Sequence, residues 1–450
     1  MTELTQQTGA FIAAHRFGAL PEQAVAIARL GFTDCLSVMI TGRTEPVVRI
    51  VRETMTRLKE TEDWRLWLGA ERASAPDAAL VNGVAAHALD YDDVALGGHP
   101  SAVLVPAILA EAEATGADGE AMVTAYVTGY EVWAELQARD RDPHHGKGWH
   151  PTAVFGVIAA AAAGASLRRL DAERAATAVG IAASCAAGLV ANFGTMVKPF
   201  HAGRAARDGL VAARLAAAGM SAAPDALEHP LGFLAAISPH GNADRESEAL
   251  LGRRWRILEN GLNVKKYPIC YATHRTIDAM LDLAQERGLQ PGNIVGIEAE
   301  LGATQAAMLR NHAPQTGLDA KFSEEFAMAA AVIARRVGRG ELSDAFVRRP
   351  DVQALMSRVQ VNGTKAADPE DPTFALEDGI AVTLAGGETL HRTVRYARGH
   401  AQSPLRADEL WQKFRDCVEE YAGADRTHAL FDALQRLERL PNAASLAATA

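Results

Sequence analysis

The sequence predicts a mainly α-helical protein, with a smaller α+β unit inserted before the chain returns to helix. Two observations carry this. Before residue 260 no strand-like alternation of apolar and polar residues is visible, whereas apolar residues recur at helical spacing from Pro21 onward. Alanine also replaces aromatics: hydrophobic residues make up 48 % of the chain but aromatics only 6 %. Small side chains in long apolar runs favour close helix–helix contact over a sheet sandwich.

The elements follow in order. Pro21 to Gly42 reads as one helix, with proline in its first turn, an apolar face through Ala24, Ile27, Leu30, Cys35, Val38 and Met39, and a glycine stop. Further helices are predicted over 77–89, 102–114, 119–136, 151–167, 172–190 and 201–218. The Pro151–Leu167 segment is apolar on all sides and should be central or lie at a subunit interface. After residue 260 the character changes. IVGIEAEL (294–301) and MSRVQV (356–361) read as strands, and 379–394 as a hairpin turning at Gly386–Gly387. Helices over 272–287 and 323–337 lie between them, and 405–439 is helical again. The last residues, 440–450, read as a frayed tail. The expected domains are 1–264 with 395–450, all helical, and 265–394, α+β.

With 450 residues the chain is long enough for two or three domains. Its net charge of −10 argues against nucleic acid or an anionic membrane surface as partner. The four cysteines (Cys35, Cys185, Cys270, Cys417) are scattered, with no CxxC pair. They offer neither a zinc-site spacing nor a disulfide framework, so a reducing cytoplasm is the expected home. MTELTQQTGAF has no apolar signal core, and the most apolar run, 153–165, is too short to span a bilayer. A soluble protein is expected.

Four stretches could carry chemistry. HALDYDDVALGGHPS (87–101) runs an Ala-rich helix into Asp90, Asp92 and Asp93, then a double glycine, then His99 before a proline. Clustered carboxylates repel one another, and acid and base groups at a helix-to-loop junction suit proton transfer. RDPHHGKGWHPT (141–152) places His150 just before a helix start, where the helix dipole lowers its proton affinity. His144 and His145 there read as solvated loop residues. NFGTMVKPFHAGR (192–204) sets Lys198 and His201 at a helix entry among apolar neighbours, where a lysine needs a counter-ion. NVKKYPICYATHR (263–275) holds Lys265 and Lys266 before Tyr267, with Cys270 lacking an obvious base partner. Acids and histidines in one group and lysines in another fit chemistry on a polycarboxylate. Proton abstraction next to a carboxylate builds negative charge that fixed cations stabilise. No GxGxxG or Walker lysine is present.

The blocks VNGVAAHALDYDD (81–93), GHPSAVLVPA (98–107), GWHPT (148–152), NFGTMVKPFHAGRAARDG (192–209), KKYPICYATH (265–274) and AKFSEEF (320–326) resemble the MmgE/PrpD family. That family includes 2-methylcitrate dehydratases, cis-aconitate decarboxylases and iminodisuccinate epimerases. The resemblance implies a large helical domain made from both chain ends, a smaller α+β lid domain and a cleft between them. It also implies a homodimer and no metal or organic cofactor. By position, Asp90, His99, His150, Lys198 and Lys265 fall where the family has active-site residues. Lys266, His201, Asp93 and Tyr267 are the further substrate-binding candidates.

The chain departs from decarboxylase-type members at three positions: Val94 replaces a threonine, Cys270 a histidine and Phe326 a tyrosine. Residues 192–203 and 268–274 read most like the epimerase branch, though Val94 departs there too. The expected activity is therefore cofactor-independent epimerisation, or elimination or addition of water, on a small di- or tricarboxylate. His99 and His150 would be the acid/base groups, with Lys198 and Lys265 on carboxylates. The alternatives are a cis-aconitate-type decarboxylase, a metal-dependent hydrolase with Asp90, Asp92, Asp93, His99 and His150 as ligands, and a non-catalytic helical scaffold.

Overall fold

The computed structural model describes residues 3–56, 64–65, 72–369 and 374–449. It is mainly α-helical with one four-stranded sheet. By contacts the chain divides into a first unit, Met1–Asn192 with Met196–Asn263 and Arg406–Ala450, and a second, Phe193–Thr195 with Val264–Leu405.

The first unit is built around helix Gly156–Leu167, whose alanines and valine are fully buried. Its small residues let neighbours approach to backbone distance, so the helix is central. The expected single helix over 151–167 is interrupted at Phe155, dividing it into Pro151–Val154 and Gly156–Leu167. Tighter bonds from Ala153 N to His150 O and from Ile158 N to Phe155 O mark that junction.

One close approach positions the site. Helix Ala75–Ala88, which carries His87, and helix Val197–Ala217, which carries Lys198 and His201, touch at Gly83 and Gly203. A Cβ on Gly203 would stand 2.2 Å from Leu80 O, and one on Gly83 would stand 2.7 Å from Gly203 Cα. Only glycine lets these two helices meet at this spacing. Ser74 caps the first of them through Asp77 N, a bond of about 1 kcal/mol.

The second helix starts at Val197, four residues before the expected 201, so Lys198 and His201 lie in its first turns. The helix expected over 172–190 ends at Ser184. Cys185–Leu189 then runs beside the His150 segment: Gly188 O accepts from His150 N at 3.0 Å, and Trp149 bridges Leu189. Helix Glu22–Gly42 is long and apolar enough to cross a membrane, but 78 % of its most apolar window is buried inside the protein.

The C-terminal segment packs back through helix Ala407–Ala422. Its buried Lys413 places Nζ 2.6 Å from Asp34 Oδ1, 2.9 Å from Tyr91 O and 4.0 Å from the centre of the Tyr91 ring. A helix from one chain end thus grips the turn between Asp90 and Asp92. The expected frayed tail is instead helical over Ala443–Thr449, because Ala443 and Leu446 find buried positions on this unit. Two-residue strands Trp64–Arg65 and Arg72–Ala73 also pair before residue 260, too short to leave an alternation.

The second unit holds a sheet with strand order Val359–Thr364, Ile294–Gly302, Asp378–Leu384, Thr389–Val394. The first pair is parallel and the other two antiparallel. Ile297, Ala299 and Leu301 are buried while Glu298 and Glu300 face water, which is the alternation the sequence displays. Helices His274–Glu286 and Glu324–Ala334 join the sheet in a second apolar core. Met356 ends the Pro350–Met356 helix and lies outside the strand expected over 356–361, because Pro350 starts a helical turn there. Residues 395–405, placed with the helical domain from the sequence, group with this unit: Arg398 N donates to Asp278 Oδ2 and Val264 N to Gly399 O.

Candidate active site

The first unit gathers six of the chain's polar residues from three sequence stretches. His87 ends helix Ala75–Ala88, and Asp90 and Asp92 follow in the turn. His99 is the N-cap of helix Pro100–Thr115, His150 that of Pro151–Val154, and Lys198 lies in the first turn of Val197–Ala217. All six are buried.

Asp92 is held between two imidazoles. His87 Nδ1 lies 2.9 Å from Asp92 Oδ1, and His99 Nδ1 lies 2.9 Å from Asp92 Oδ2. Burial opposes ionisation of Asp92, yet the two histidines together hold its carboxyl well below the usual range. Burial pushes His87 down to about 3, against the pull of Asp92, so that ring is neutral at pH 7. His99 Nδ1 also reaches Asp93 O at 3.0 Å. A carboxylate and a backbone carbonyl only accept, so Nδ1 of His99 carries the proton. In the neutral ring the lone pair is then on Nε2.

That Nε2 lies 3.9 Å from Asp90 Oδ1, and the same oxygen accepts from Lys198 Nζ at 2.7 Å. Lys198 thus has the counter-ion its apolar surroundings require. Asp90 adopts the left-handed conformation with φ +52°, which costs a non-glycine residue roughly 1–2 kcal/mol. The strained turn is what aims its carboxylate at both Lys198 and His99.

His150 approaches from the other side. Its ring centre is 6.5 Å from that of His99 and 6.1 Å from that of His87, and its Nδ1 is 3.0 Å from Nδ1 of His201. Burial, then the Lys198 charge, hold His150 well below the ordinary histidine range. Burial, then Arg204, push His201 down to about 4.

Asp93 turns away from this group. Its carboxylate accepts from Ser101 N at 3.3 Å and from Ser101 Oγ, which also meets Tyr126 OH at 2.7 Å. Burial, with Asp34 and Asp92 nearby, pushes Asp93 well up. Its placement braces the start of the His99 helix. His99 N donates to Thr152 Oγ1 at 3.2 Å, linking the two histidine caps. Contrary to the solvated loop expected for His144, its ring is buried edge-on against Phe155 at 5.0 Å, because the short helix His144–Lys147 turns it inward.

Lys265, Lys266 and Tyr267 belong to the second unit. Lys265 is buried, and the Tyr267 hydroxyl donates to Asp278 Oδ1 at 2.5 Å. Val94 pairs its backbone with Asn263, Cys270 is buried with its N–H on Lys321 O, and Phe326 packs in the second core against Phe346.

Single ligand atoms of His87, Asp90, Asp92 and His99 all lie within 4.8 Å of one another, a donor set that could hold a divalent ion. Asp93 and His150 are outside that set. The contacts of His87 and His99 on Asp92 are made by Nδ1, which leaves Nε2 as the nitrogen either ring would turn to an ion.

An imidazole held at Nδ1, an ion-paired carboxylate beside it and a second imidazole opposite are groups that can exchange a proton, as an enzyme of the lyase or isomerase type requires. Residues 6–246 match the MmgE/PrpD N-terminal domain and residues 267–438 the MmgE/PrpD C-terminal domain, and the chain belongs to that family. It is similar to cis-aconitate decarboxylase of Homo sapiens, 26 % identical over 463 aligned positions that cover 99 % of this chain and 94 % of the relative. The Mus musculus cis-aconitate decarboxylase is 27 % identical over 380 positions, covering 82 % of this chain and 77 % of that one. The Aspergillus terreus cis-aconitate decarboxylase is 24 % identical over 397 positions, covering 82 % and 80 %.

His87 and Thr152 escaped the sequence reading as site residues, and Asp92 was read there only as a metal ligand of one alternative. Asp92 was legible as part of a carboxylate cluster, but its two imidazole partners follow from the turn geometry alone.

Proposed function

We propose that this enzyme abstracts a proton next to a carboxylate of a small di- or tricarboxylate. The observation that carries the reading is the His99 ring, with Nδ1 committed to Asp92 and Asp93 O and Nε2 on the side of Asp90. As the C–H bond breaks, its proton passes to His99 Nε2 and its electron pair spreads into the carboxylate as an enediolate. Asp90 stabilises the imidazolium that forms, and Lys198 and His150 stabilise the developing oxyanion. Lys265 is the second carboxylate-binding cation of the proposal, and Lys266 is a further candidate.

Return of the proton gives epimerisation, and loss or addition of water at the neighbouring carbon gives dehydration or hydration. The replacements at Val94, Cys270 and Phe326 favour these outcomes over decarboxylation. Decarboxylation is the second reading, favoured by the names of the relatives, all cis-aconitate decarboxylases. The scattered cysteines support a reducing cytoplasm as the setting, and the family resemblance supports a homodimer.

Proton NMR of the products from citrate, 2-methylcitrate, cis-aconitate and iminodisuccinate separates the readings. Epimer or water-exchange products without carbon dioxide support the first. Stoichiometric carbon dioxide from cis-aconitate overturns it in favour of the second. Enzyme that turns over none of the four sinks the substrate class.

A further inference from the structure

His150 and His201 meet Nδ1 to Nδ1 at 3.0 Å, and both rings are buried. At that distance one nitrogen donates and the other accepts. Both rings are neutral at pH 7, for burial and the nearby cations Lys198 and Arg204 disfavour the imidazolium in each. A neutral imidazole carries a single N–H. The pair is therefore locked in opposite tautomers: the ring that donates from Nδ1 presents a lone pair at Nε2, and the ring that accepts presents an N–H there.

We propose that His201 is a positioning residue that donates its Nδ1–H to His150 and so fixes His150 as the Nε2–H tautomer. The direction follows from what the site already holds. In its neutral form, as the proposed base, His99 offers a lone pair at Nε2, because its Nδ1 proton is committed to two acceptors. A second lone pair at His150 would repel the negative charge that proton abstraction creates, whereas an N–H stabilises it. His150 then serves as a neutral donor to the developing oxyanion and need not lose its proton, so no imidazolate is formed. The direction of the bond and this use of the N–H rest on the proposed reaction, while the opposite-tautomer pairing rests on the 3.0 Å contact between two neutral rings.

The test is nitrogen NMR of the enzyme labelled with ¹⁵N-histidine, wild type beside H201N and H201D. The Asn amide can keep a donor near the position of Nδ1, whereas Asp offers only acceptors. The expected result is His150 protonated on Nε2 in wild type and H201N, and on Nδ1 in H201D. With the substrate found above, H201N should keep kcat within about tenfold. H201D should lose about a hundredfold in kcat with little change in KM, the loss expected for one oxyanion donor. Wild-type His150 protonated on Nδ1 overturns the proposal, as does a His150 proton on Nε2 in H201D. The spectra need no substrate. An Nε2–H on His150 alongside silence with every carboxylate would therefore discard the reaction and keep the pairing.

Discussion

Lys198 Nζ stands 2.7 Å from Asp90 Oδ1, and both side chains are almost wholly buried. Each residue is useful because of the other. Without Lys198, Asp90 would be a buried carboxylate beside the lone pair of His99. Without Asp90, Lys198 would be a buried ammonium that has lost the carboxylate facing it. Breaking such a pair from one side is expected to cost about 3–5 kcal/mol. Lys198→Met should therefore lower both stability and turnover. The double variant Lys198→Met with Asp90→Asn should recover stability but not activity. Denaturant unfolding of the three variants, with turnover beside it, checks this; equal instability of single and double variants contradicts the pairing.

His99→Gln removes the proposed base while leaving a side chain of similar reach. Turnover should fall about a hundredfold or more, with KM little changed. Steady-state kinetics decides, and near-wild-type kcat would remove His99 from the mechanism.

Lys413 is far from the chemistry in sequence, yet it binds Asp34 and the carbonyl and ring of Tyr91, the residue between Asp90 and Asp92. Lys413→Met leaves Asp34 buried without its ammonium, at a cost of about 3–5 kcal/mol. The turn that aims Asp90 should loosen with it, so kcat should fall while the variant is still folded. Thermal melts and kinetics at low temperature measure both; an unchanged melting temperature would contradict the buried pair.

The second unit carries a pH dependence of its own. Burial, opposed by the nearby Thr276 hydroxyl and reinforced by Asp378 and Glu325, pushes Glu324 from 4.5 up to about 8. The folded chain then keeps a proton that the unfolded chain releases between those values. Stability is fully present below pH 4.5 and is lost as pH rises to about 8, with a slope of up to ~1.4 kcal/mol per pH unit from this group. Glu324→Gln imitates the protonated form, so its stability relative to wild type should improve from pH 5 to pH 8. Unfolding curves at the two pH values test this, and a constant difference would contradict it.

Much of the architecture was legible because its signals are local. Pro21, Gly42, Pro100 and the alanine-rich run from Ala159 to Ala163 mark helix starts, stops and packing without reference to the rest of the chain. The strand Ile294–Gly302 shows its buried face in its alternation. The helix ending at Ser184 was not legible, since nothing near residue 185 stops it. The stop comes from Gly188 pairing with His150, a contact across 38 positions (188 − 150). The site divides in the same way. His99, His150 and Lys198 stood out through glycine and proline neighbours. His87 did not, because a histidine inside an alanine-rich helix carries no sign that Asp92 will fold back onto it. The roles proposed for His99 and His150 needed the atoms that their Nδ1 nitrogens meet.

The central claim is proton abstraction next to a carboxylate with His99 as base. Its most direct test is deuterium uptake, followed by proton NMR in D₂O with wild-type and His99→Gln enzyme on the same carboxylates. The account predicts loss of the signal from the hydrogen next to a carboxylate with wild type, slowed about a hundredfold in the variant. Turnover of a substrate with no deuterium entering at that carbon, or equal uptake by both enzymes, would contradict it.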